Sequence, residues 1–224
     1  MVVKRDAGDE QMKEKQTAGK VALKILEAAR GVFAERGYSG ARMDEIAGRA
    51  GVNKATLYYQ IGDKDTLYAG VIHQVLGDVA SKIAAAVEGA GHPRDKLAAY
   101  IEVIDAAVED NPELPPILLR EVASDGAHLP HVVIGDIARV VTILAGILEE
   151  GKKKGFFADV NPFLIHCMIM GTILIYKKAA TIKDRQKLLP AGMKRFDKKL
   201  NGTAGQAVAL LVLGALKKQR GGID

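Results

Sequence analysis

The sequence predicts an all-α protein of nine helices within its 224 residues. Tryptophan is absent, aromatic residues make up 5%, and Ala, Leu, Ile, Val and Lys are abundant, a composition that favours helices packed on helices. Apolar residues recur at intervals of three and four over most of the chain, and no stretch has the alternating pattern of a convincing strand. Hydrophobic residues at 48% and charged residues at 26% exclude a wholly disordered chain.

The chain begins with a predicted mobile arm followed by three helices. Residues 1–19 mix charges of both signs with Gly and Gln and lack an apolar period. From Lys20 the pattern becomes helical, and Gly37 is expected to stop this first helix. Two short helices follow at about 43–50 and 54–60. Because only three residues separate these two, a tight turn between packed helices is predicted.

Six further helices are predicted between glycine and proline breakers. Residues 89–93 close the fourth helix and Asn111 ends the fifth, whereas Pro115 and Pro116 are tolerated in the first turn of the sixth. Residues 181–202 are rich in Lys and Arg and are expected to form an irregular connection. The six predicted ranges are 64–88, a helix marked by Leu97 to Val108, 113–124, 132–154, 162–180 and 204–218, and the irregular connection can include a short helix at 193–200.

Charge and cysteine content narrow the class of protein. The net charge of +5 permits contact with nucleic acid but does not demand it. Cys167, the only cysteine, excludes an internal disulfide framework, and the first residues lack the apolar core of a signal peptide, so a cytoplasmic protein is expected. The longest apolar run, 162–176, falls short of the ~20 residues needed to span a bilayer. It predicts a buried helix, and no membrane is expected among the partners of the protein.

The stretch 43–62 has the residue types that a helix-turn-helix requires. Gly51 can take the left-handed conformation of a tight turn, and Asn53 can cap the third helix so that its N-terminus points outward. The small shared core is supplied by Ile46, Ala47, Ala50, Val52 and Leu57. The exposed end of the third helix carries Lys54, Ala55 and Thr56.

A helix presented in this way fits the major groove, with its first residues against base edges and its flanks against phosphates. Tyr58 and Tyr59 add hydroxyls to the same helix. Lys64 places a cation and free backbone amides where a phosphate could bind. The alternative is an ordinary helical hairpin in which the two tyrosines only pack.

The run 25–67 resembles the DNA-binding domain of the tetracycline-repressor (TetR) family, over about a fifth of the chain. Beyond residue 70 the resemblance is architectural, since 148–162 is similar to the turn between helices 7 and 8 in many members. The residues that carry the resemblance are Ala28-Ala29, Phe33, Gly37-Tyr38, Ile46-Ala47, Ala50-Gly51-Val52, Leu57-Tyr58, Lys64 and Leu67.

The resemblance implies a homodimeric regulator, expected to be a repressor that a small, mostly hydrophobic effector releases from double-stranded operator DNA. It implies a DNA-binding domain over 20–66 and an effector-binding and dimerisation domain over 67–224, with no cofactor. Phosphate contacts are expected from Tyr58, Lys64 and Thr56, and base contacts from Lys54, Ala55 and Tyr59. The full predicted DNA-binding set is Arg42, Met43, Asn53, Lys54, Ala55, Thr56, Tyr58, Tyr59 and Lys64.

The helix-turn-helix at residues 43–62 is called the reading head below. Two departures from the family pattern distinguish it from the same region of other members. Members usually carry Ser or Thr where this chain has Ala41-Arg42, so Arg42 is expected to take the phosphate while the cap of the second helix is weakened. Tyr59-Gln60 replaces the usual His or polar pair, and Ile61 replaces the common aromatic. The base preference therefore cannot be inherited from the family.

The C-terminal helices are expected to bind an effector and to form the dimer. Apolar residues cover much of helices 8 and 9, which predicts a self-complementary interface. The resemblance implies that effector binding shifts helix 4 and changes the spacing of the two reading heads. The candidate lining, which plain core packing would also explain, is Leu97, Tyr100, Ile101, Ile104, Leu118, Val122, Val141, Leu144, His166 and Met170.

Other sites are weaker candidates. Pro130 interrupts the spacing of His128 and His131, so a metal pair is not expected. His166 and Cys167 point about 100° apart on a helix, which favours a core histidine and a buried thiol over a nucleophile and its base. The chain lacks phosphate-loop and serine-elbow motifs, so an enzyme is not expected.

Two alternatives remain open at this level. The first is a helical adaptor or small-molecule-binding protein without DNA binding. The second concerns the segment 177–199, a predicted loop that contains nine basic and two acidic residues. This segment is either a solvated face or a contact for an acidic partner.

Overall fold

A computed structural model of the chain describes residues 6–186 and 202–217, and within these ranges it contains nine helices and no strand. The all-α prediction is therefore confirmed. The helices are α1 (Asp6–Gly40), α2 (Met43–Ala50), α3 (Lys54–Ile61), α4 (Lys64–Glu88), α5 (Pro93–Asp110), α6 (Leu114–Ala123), α7 (His131–Lys153), α8 (Pro162–Gln186) and α9 (Ala204–Ala215).

The first helix starts earlier than the sequence pattern predicted. It begins at Asp6 rather than Lys20, so the prediction of a non-helical arm is wrong for residues 6–19. Glu, Gln, Met, Lys and Ala dominate this stretch and have high helix propensity, which outweighs the missing apolar period. Gly37, with φ of 70° and ψ of 177°, interrupts the helix where the sequence predicted its end.

The C-terminal helices also depart from the predicted bounds. α8 continues to Gln186, so the beginning of the basic segment 177–199 is helical rather than a loop. Residues 187–201, with the short helix predicted at 193–200, lie outside the described residues. Thr203 and Gln206 form a capping box that starts α9, because each side chain accepts a hydrogen bond from the other residue's backbone N–H.

The described chain packs as two compact units. The first contains residues 6–74 and 116–133, and the second contains 75–115, 134–186 and 202–217. The division falls within α4, between Gln74 and Val75. The segment that carries most of α6 therefore belongs to the same unit as the helix-turn-helix, an association that the sequence pattern did not predict.

Each unit has its own buried core. In the first, α1 packs against α2 and α3; in the second, α5 packs against α8 and α9. α7 is long and apolar enough to cross a membrane by length and composition, but its Val140, Leu144 and Ile147 are buried within the chain. The fully buried side chains of the first unit include Ile25, Phe33, Ile46, Leu57, Leu67 and Ile72, and those of the second include Ile83, Leu97, Tyr100, Ile101 and Leu144.

Candidate nucleic-acid interface

The turn between α2 and α3 has the geometry that its residues predict. Gly51 ends α2 in the left-handed conformation, with φ of 67° and ψ of 31°. The Val52 N–H donates to the Ala47 carbonyl at 3.0 Å, which closes the turn. Asn53 then caps α3, because its Oδ1 accepts from the Thr56 N–H at 2.7 Å. The predicted turn conformation of Gly51 and the predicted cap by Asn53 are confirmed.

The N-terminal end of α3 is open to solvent while its inner face is anchored. Leu57 is fully buried, and Lys54 and Ala55 one turn before it are exposed. Tyr59 is 87% exposed and Tyr58 is 44% exposed. These two tyrosines are therefore available to a partner, and simple packing within the chain does not explain their positions.

Two residues of the predicted DNA-binding set make contacts within the chain. Met43 is only 8% exposed and shares the buried face of α2 with Ile46 and Ala47, so its side chain packs in the core instead of facing DNA. Asn53 uses its carbonyl oxygen for the cap, which leaves its amide nitrogen for any other contact.

The start of α2 differs from a capped helix as the sequence indicated. Arg42 occupies the N-cap position in an extended conformation, and its side chain makes no capping hydrogen bond. Asp44 and Glu45 in the first turn complement the positive end of the helix dipole. The Arg42 side chain is exposed at the same helix end, where cation and backbone amides together suit an anion.

Ion pairs connect α2 to both of its neighbours. Arg49 holds Glu35 of α1 and Glu45 of its own helix, each at 2.7 Å, and these hydrogen bonds raise the pKa of Arg49. Lys54 Nζ lies 2.7 Å from Asp44 Oδ1, which links α3 to α2. The sequence pattern did not predict the Lys54–Asp44 pair, because its partners are ten positions apart on different helices.

Lys64 lies at the start of α4, where the Asp63 carboxylate accepts from the Thr66 N–H at 2.8 Å and caps the helix. Its Nζ lies 4.6 Å from the ring centroid of Tyr38, within the range of a cation–π contact. The Tyr38 hydroxyl donates to Asp65, and this hydrogen bond, aided by burial, raises the pKa of Tyr38 to about 12. Lys64 is thus held beside a helix N-terminus, in the arrangement that favours a phosphate.

α6 supports this region from behind. Arg120 donates to the Phe33 carbonyl at 3.4 Å and the Glu35 carbonyl at 3.2 Å, near the point where Gly37 breaks α1. The buried Glu121 carboxylate accepts from the Tyr68 hydroxyl at 2.6 Å, and burial together with this bond raises the pKa of Tyr68. The Arg120 contacts satisfy carbonyls near the end of α1, and the Tyr68–Glu121 bond pairs two polar groups that the core would otherwise leave unpaired.

His128, one of the two histidines weighed as a metal pair, takes part in this support instead. Its ring lies 4.4 Å from the Tyr38 ring with an interplanar angle of 25°. Its Nδ1 lies 3.9 Å from Glu121 Oε1. Among the described residues, no group of three or more His, Cys, Asp or Glu side chains is placed to hold a metal ion.

The second unit contains a buried polar pair among apolar side chains. The Tyr100 hydroxyl lies 2.8 Å from His166 Nδ1, which joins α5 to α8. Burial lowers the pKa of His166, so this imidazole is held neutral, and burial raises the pKa of Tyr100. Of the remaining candidate lining, Ile104 and Leu144 are buried, and Val141 and Met170 are half-buried.

Two of the predicted C-terminal positions need correction. Val122 is 77% exposed on α6, the opposite of what the wall of an enclosed pocket requires. Leu118 is half-buried on the same helix, and its place in the lining stays a prediction. Cys167 is exposed, so the predicted buried thiol is wrong: its neighbour His166 occupies the inner face of α8 and leaves Cys167 on the outer one.

α8 and α9 each combine a buried face with an exposed apolar face. The inner face of α8 carries Ile165, Ile169 and Ile173, and the outer face repeats at helical spacing. The exposed apolar side chains of the two helices are Phe163, Leu164, Met168, Ile175, Tyr176, Leu210 and Leu211. Because α8 and α9 pack against each other, these residues give the described part of the second unit an uncovered apolar surface.

Comparisons with known proteins find two family models that match separate parts of the chain. The family model of bacterial regulatory proteins, tetR family, matches residues 25–71, and that of the tetracyclin repressor-like C-terminal domain matches residues 93–183. The HTH-type transcriptional repressor SCO4008 of Streptomyces coelicolor is 31% identical over 140 residues, 62% of this chain and 68% of that protein.

The chain belongs to the TetR family. Another TetR-like relative, the HTH-type transcriptional regulator RutR of Escherichia coli, is 26% identical over 152 residues, 68% of this chain and 71% of that protein. The fold of this chain is also similar to that of FadR from Bacillus subtilis in complex with stearoyl-CoA. The TM-score is 0.67, and the sequences are 22% identical, with 87% of this chain and 98% of that one covered.

Membership settles the general class of activity. As a TetR-family protein, the chain is a helix-turn-helix transcriptional regulator with a C-terminal ligand-binding domain. The adaptor alternative is not favoured, because the two relatives named above are both transcriptional regulators. The matched range 25–71 contains α2, the turn and α3, so the residues that carried the resemblance lie in the family's DNA-binding region.

Proposed function

We propose that the chain is a repressor that binds operator DNA as a homodimer and dissociates from it when a small, mostly hydrophobic effector binds the second unit. The observation that carries this proposal is the exposed N-terminal end of α3, which is anchored by buried Leu57 and presents Lys54 and Ala55 to solvent. Such a helix end fits the major groove. The protein then acts in the cytoplasm of a bacterium, where the DNA lies.

The reading head divides into base-facing and phosphate-facing residues. Lys54 and Ala55 are exposed at the N-terminal end of α3 and Tyr59 is exposed in its second half, where these side chains can reach base edges. Lys64 and Arg42 each place a cation beside a helix N-terminus, and Thr56 and Tyr58 carry hydroxyls on α3, so these four suit phosphates. The proposal thus keeps all of the predicted DNA contacts except Met43, and it limits Asn53 to its amide nitrogen.

Selection from a randomised duplex library tests DNA recognition and the base-facing assignments together. The wild-type protein is expected to enrich a palindrome whose half-sites lie about 34–36 Å apart, as two linked reading heads require. Lys54→Met and Tyr59→Ala should each reduce discrimination about tenfold at one or two positions of each half-site. Lys82→Met, which removes an exposed lysine of α4 in the second unit, is the control and should leave the sequence preference unchanged.

Failure of the wild-type protein to enrich any sequence would refute the proposed DNA recognition. Enrichment of the same sequence by all three variants would instead refute only the roles given to Lys54 and Tyr59. The two outcomes are read from the same library and cannot be confused.

The homodimer is supported by the uncovered apolar surface of α8 and α9. Isolated apolar side chains are common on protein surfaces, but several exposed apolar side chains on two helices that pack against each other are typical of an interface. A two-fold arrangement would bury the same residues from both copies. It would also hold two reading heads at a fixed separation, which one copy cannot do.

Leu211→Glu is expected to dissociate the dimer. Leu211 is 71% exposed within one chain, so a glutamate there should not disturb the fold, but in the dimer it would place a charge in an apolar interface. Sedimentation equilibrium at micromolar concentration should show a monomer, and operator affinity should fall at least hundredfold because each head then binds alone. Val122→Glu, at a comparably exposed valine of α6, is the matched control. A dimeric Leu211→Glu variant would contradict the proposed interface.

The effector class is inferred from the second unit and from similar proteins. The Tyr100–His166 pair offers one polar anchor among apolar residues such as Ile104 and Leu144, which suits a mostly hydrophobic ligand with a single polar group. The similar FadR structure holds stearoyl-CoA, and SCO4008 is named a repressor. Release of the selected duplex by stearoyl-CoA, measured by fluorescence anisotropy, is the first assay for an effector of this class.

A further inference from the structure

The ion pair between Asp44 and Lys54 lies on the surface that the proposed function turns toward DNA. Lys54 is the first residue of α3, and Asp44 lies in the first turn of α2. Their charged atoms are 2.7 Å apart, and both side chains are more than half exposed. A carboxylate so near the reading end of α3 is unexpected, because DNA phosphates repel it.

Both members of the pair are charged at neutral pH. The hydrogen bond from Lys54, with a smaller contribution from Arg42, holds the pKa of Asp44 below its usual value. The same bond raises the pKa of Lys54. The positive charge of Lys54 is therefore balanced by a carboxylate at contact distance, whereas Arg42 and Lys64 are the cations left to attract phosphates.

We propose that Asp44 is a specificity-determining residue, which holds Lys54 in position for base contacts and suppresses its attraction to phosphates. The inference rests on the proposed function, because it takes Lys54 as a base-facing residue. A lysine on its flexible stem can otherwise reach phosphates on any DNA sequence, which strengthens non-specific binding, whereas on the preferred sequence the lost base contact offsets this gain. Its ammonium has three donors, so one can bind Asp44 while two remain for acceptors such as guanine O6 and N7.

Asp44→Asn tests this role with little change in size or polarity. Two duplexes serve as probes: the one that the wild-type protein enriches from the library, and the same duplex with its base order shuffled. Affinity for the shuffled duplex is expected to rise about three- to tenfold, while affinity for the enriched duplex changes less than about twofold. The salt dependence on the shuffled duplex should steepen by roughly 0.9 per protomer, because Lys54 now releases a counterion.

A double-variant cycle shows whether the effect passes through Lys54. In a Lys54→Met background, Asp44→Asn should leave binding to the shuffled duplex unchanged. Glu27→Gln removes an exposed carboxylate from α1 of the same unit and controls for the change in net charge. Asp44→Ser is a second variant that keeps a polar group near the start of α2, and thermal unfolding checks that each variant is folded.

Three results would overturn the inference. The first is an unchanged ratio between the affinities for the two duplexes. The second is an effect of Asp44→Asn that persists in the Lys54→Met background. The third is a loss of affinity for the enriched duplex alone, which would mean that Asp44 contacts a base itself. The proposed function is judged separately, since a wild-type protein that prefers no sequence would refute it before any variant is compared.

Discussion

Lys64→Ala is expected to weaken binding to every DNA duplex by about hundredfold and to flatten its dependence on salt. Each protomer loses one charged hydrogen bond to phosphate, worth roughly 1.5 kcal/mol, so the proposed dimer loses about 3 kcal/mol. The slope of log affinity against log salt should fall by roughly 0.9 per protomer, because one fewer counterion is released at each site. Fluorescence anisotropy over a salt series measures both quantities.

The phosphate role of Lys64 predicts a uniform loss, which separates it from a role in base recognition. Enriched and shuffled duplexes should lose affinity by the same factor. Lys64→Arg keeps the charge above the Tyr38 ring and should restore most of the slope. Lys82→Ala removes the same charge from an exposed position on the same helix and should change neither quantity. A Lys64→Ala protein with an unchanged slope would show that this cation does not reach phosphate.

The helix-turn-helix could be predicted residue by residue because its determinants are local. Gly51 supplies the left-handed turn, and Asn53 reaches a backbone N–H only three positions ahead. Both demands are visible in a short stretch of sequence. The position of Met43 in the motif predicts a DNA contact. The same helical period that identifies Ile46 and Ala47 as core residues, however, puts Met43 on their face of α2.

The contacts that support the reading head could not be predicted, because they join distant parts of the chain. Arg120 reaches carbonyls of α1 more than eighty positions earlier, and Glu121 reaches Tyr68 over fifty positions away. No periodicity links such partners. The Asp44–Lys54 pair is closer in sequence, but its existence depends on the angle between two helices, which a residue pattern does not specify.

The apolar helices show a second limit of sequence reasoning. A helix that is apolar around most of its circumference can be covered by its own chain or by a copy. In α8, His166 lies inside and Cys167 outside, although the two are adjacent and both were assigned to the core. Only the packing of α8 against α5 and α9 decides which face remains exposed.

Gly151→Ala should destabilise the protein by about 3 kcal/mol, although alanine is the better helix former. A Cβ at Gly151 would lie 2.0 Å from the Phe157 ring, far inside van der Waals contact. Phe157 is buried, and its backbone N–H donates to the Gly151 carbonyl at 3.2 Å, so the ring cannot easily move aside. Overpacking of this kind costs roughly 1–3 kcal/mol or more, which exceeds the propensity gain.

The matched control is Gly146→Ala, in the same helix α7. A Cβ there would meet no atom within 4 Å, so the variant should gain about 0.5–1 kcal/mol through reduced backbone entropy. Urea unfolding of both variants measures the two free energies against the wild-type protein. Opposite signs are expected from the same substitution five residues apart, because a Cβ meets the Phe157 ring at buried Gly151 and no atom within 4 Å at exposed Gly146. Equal effects would show that the ring of Phe157 yields, and that the turn from α7 to α8 does not require glycine.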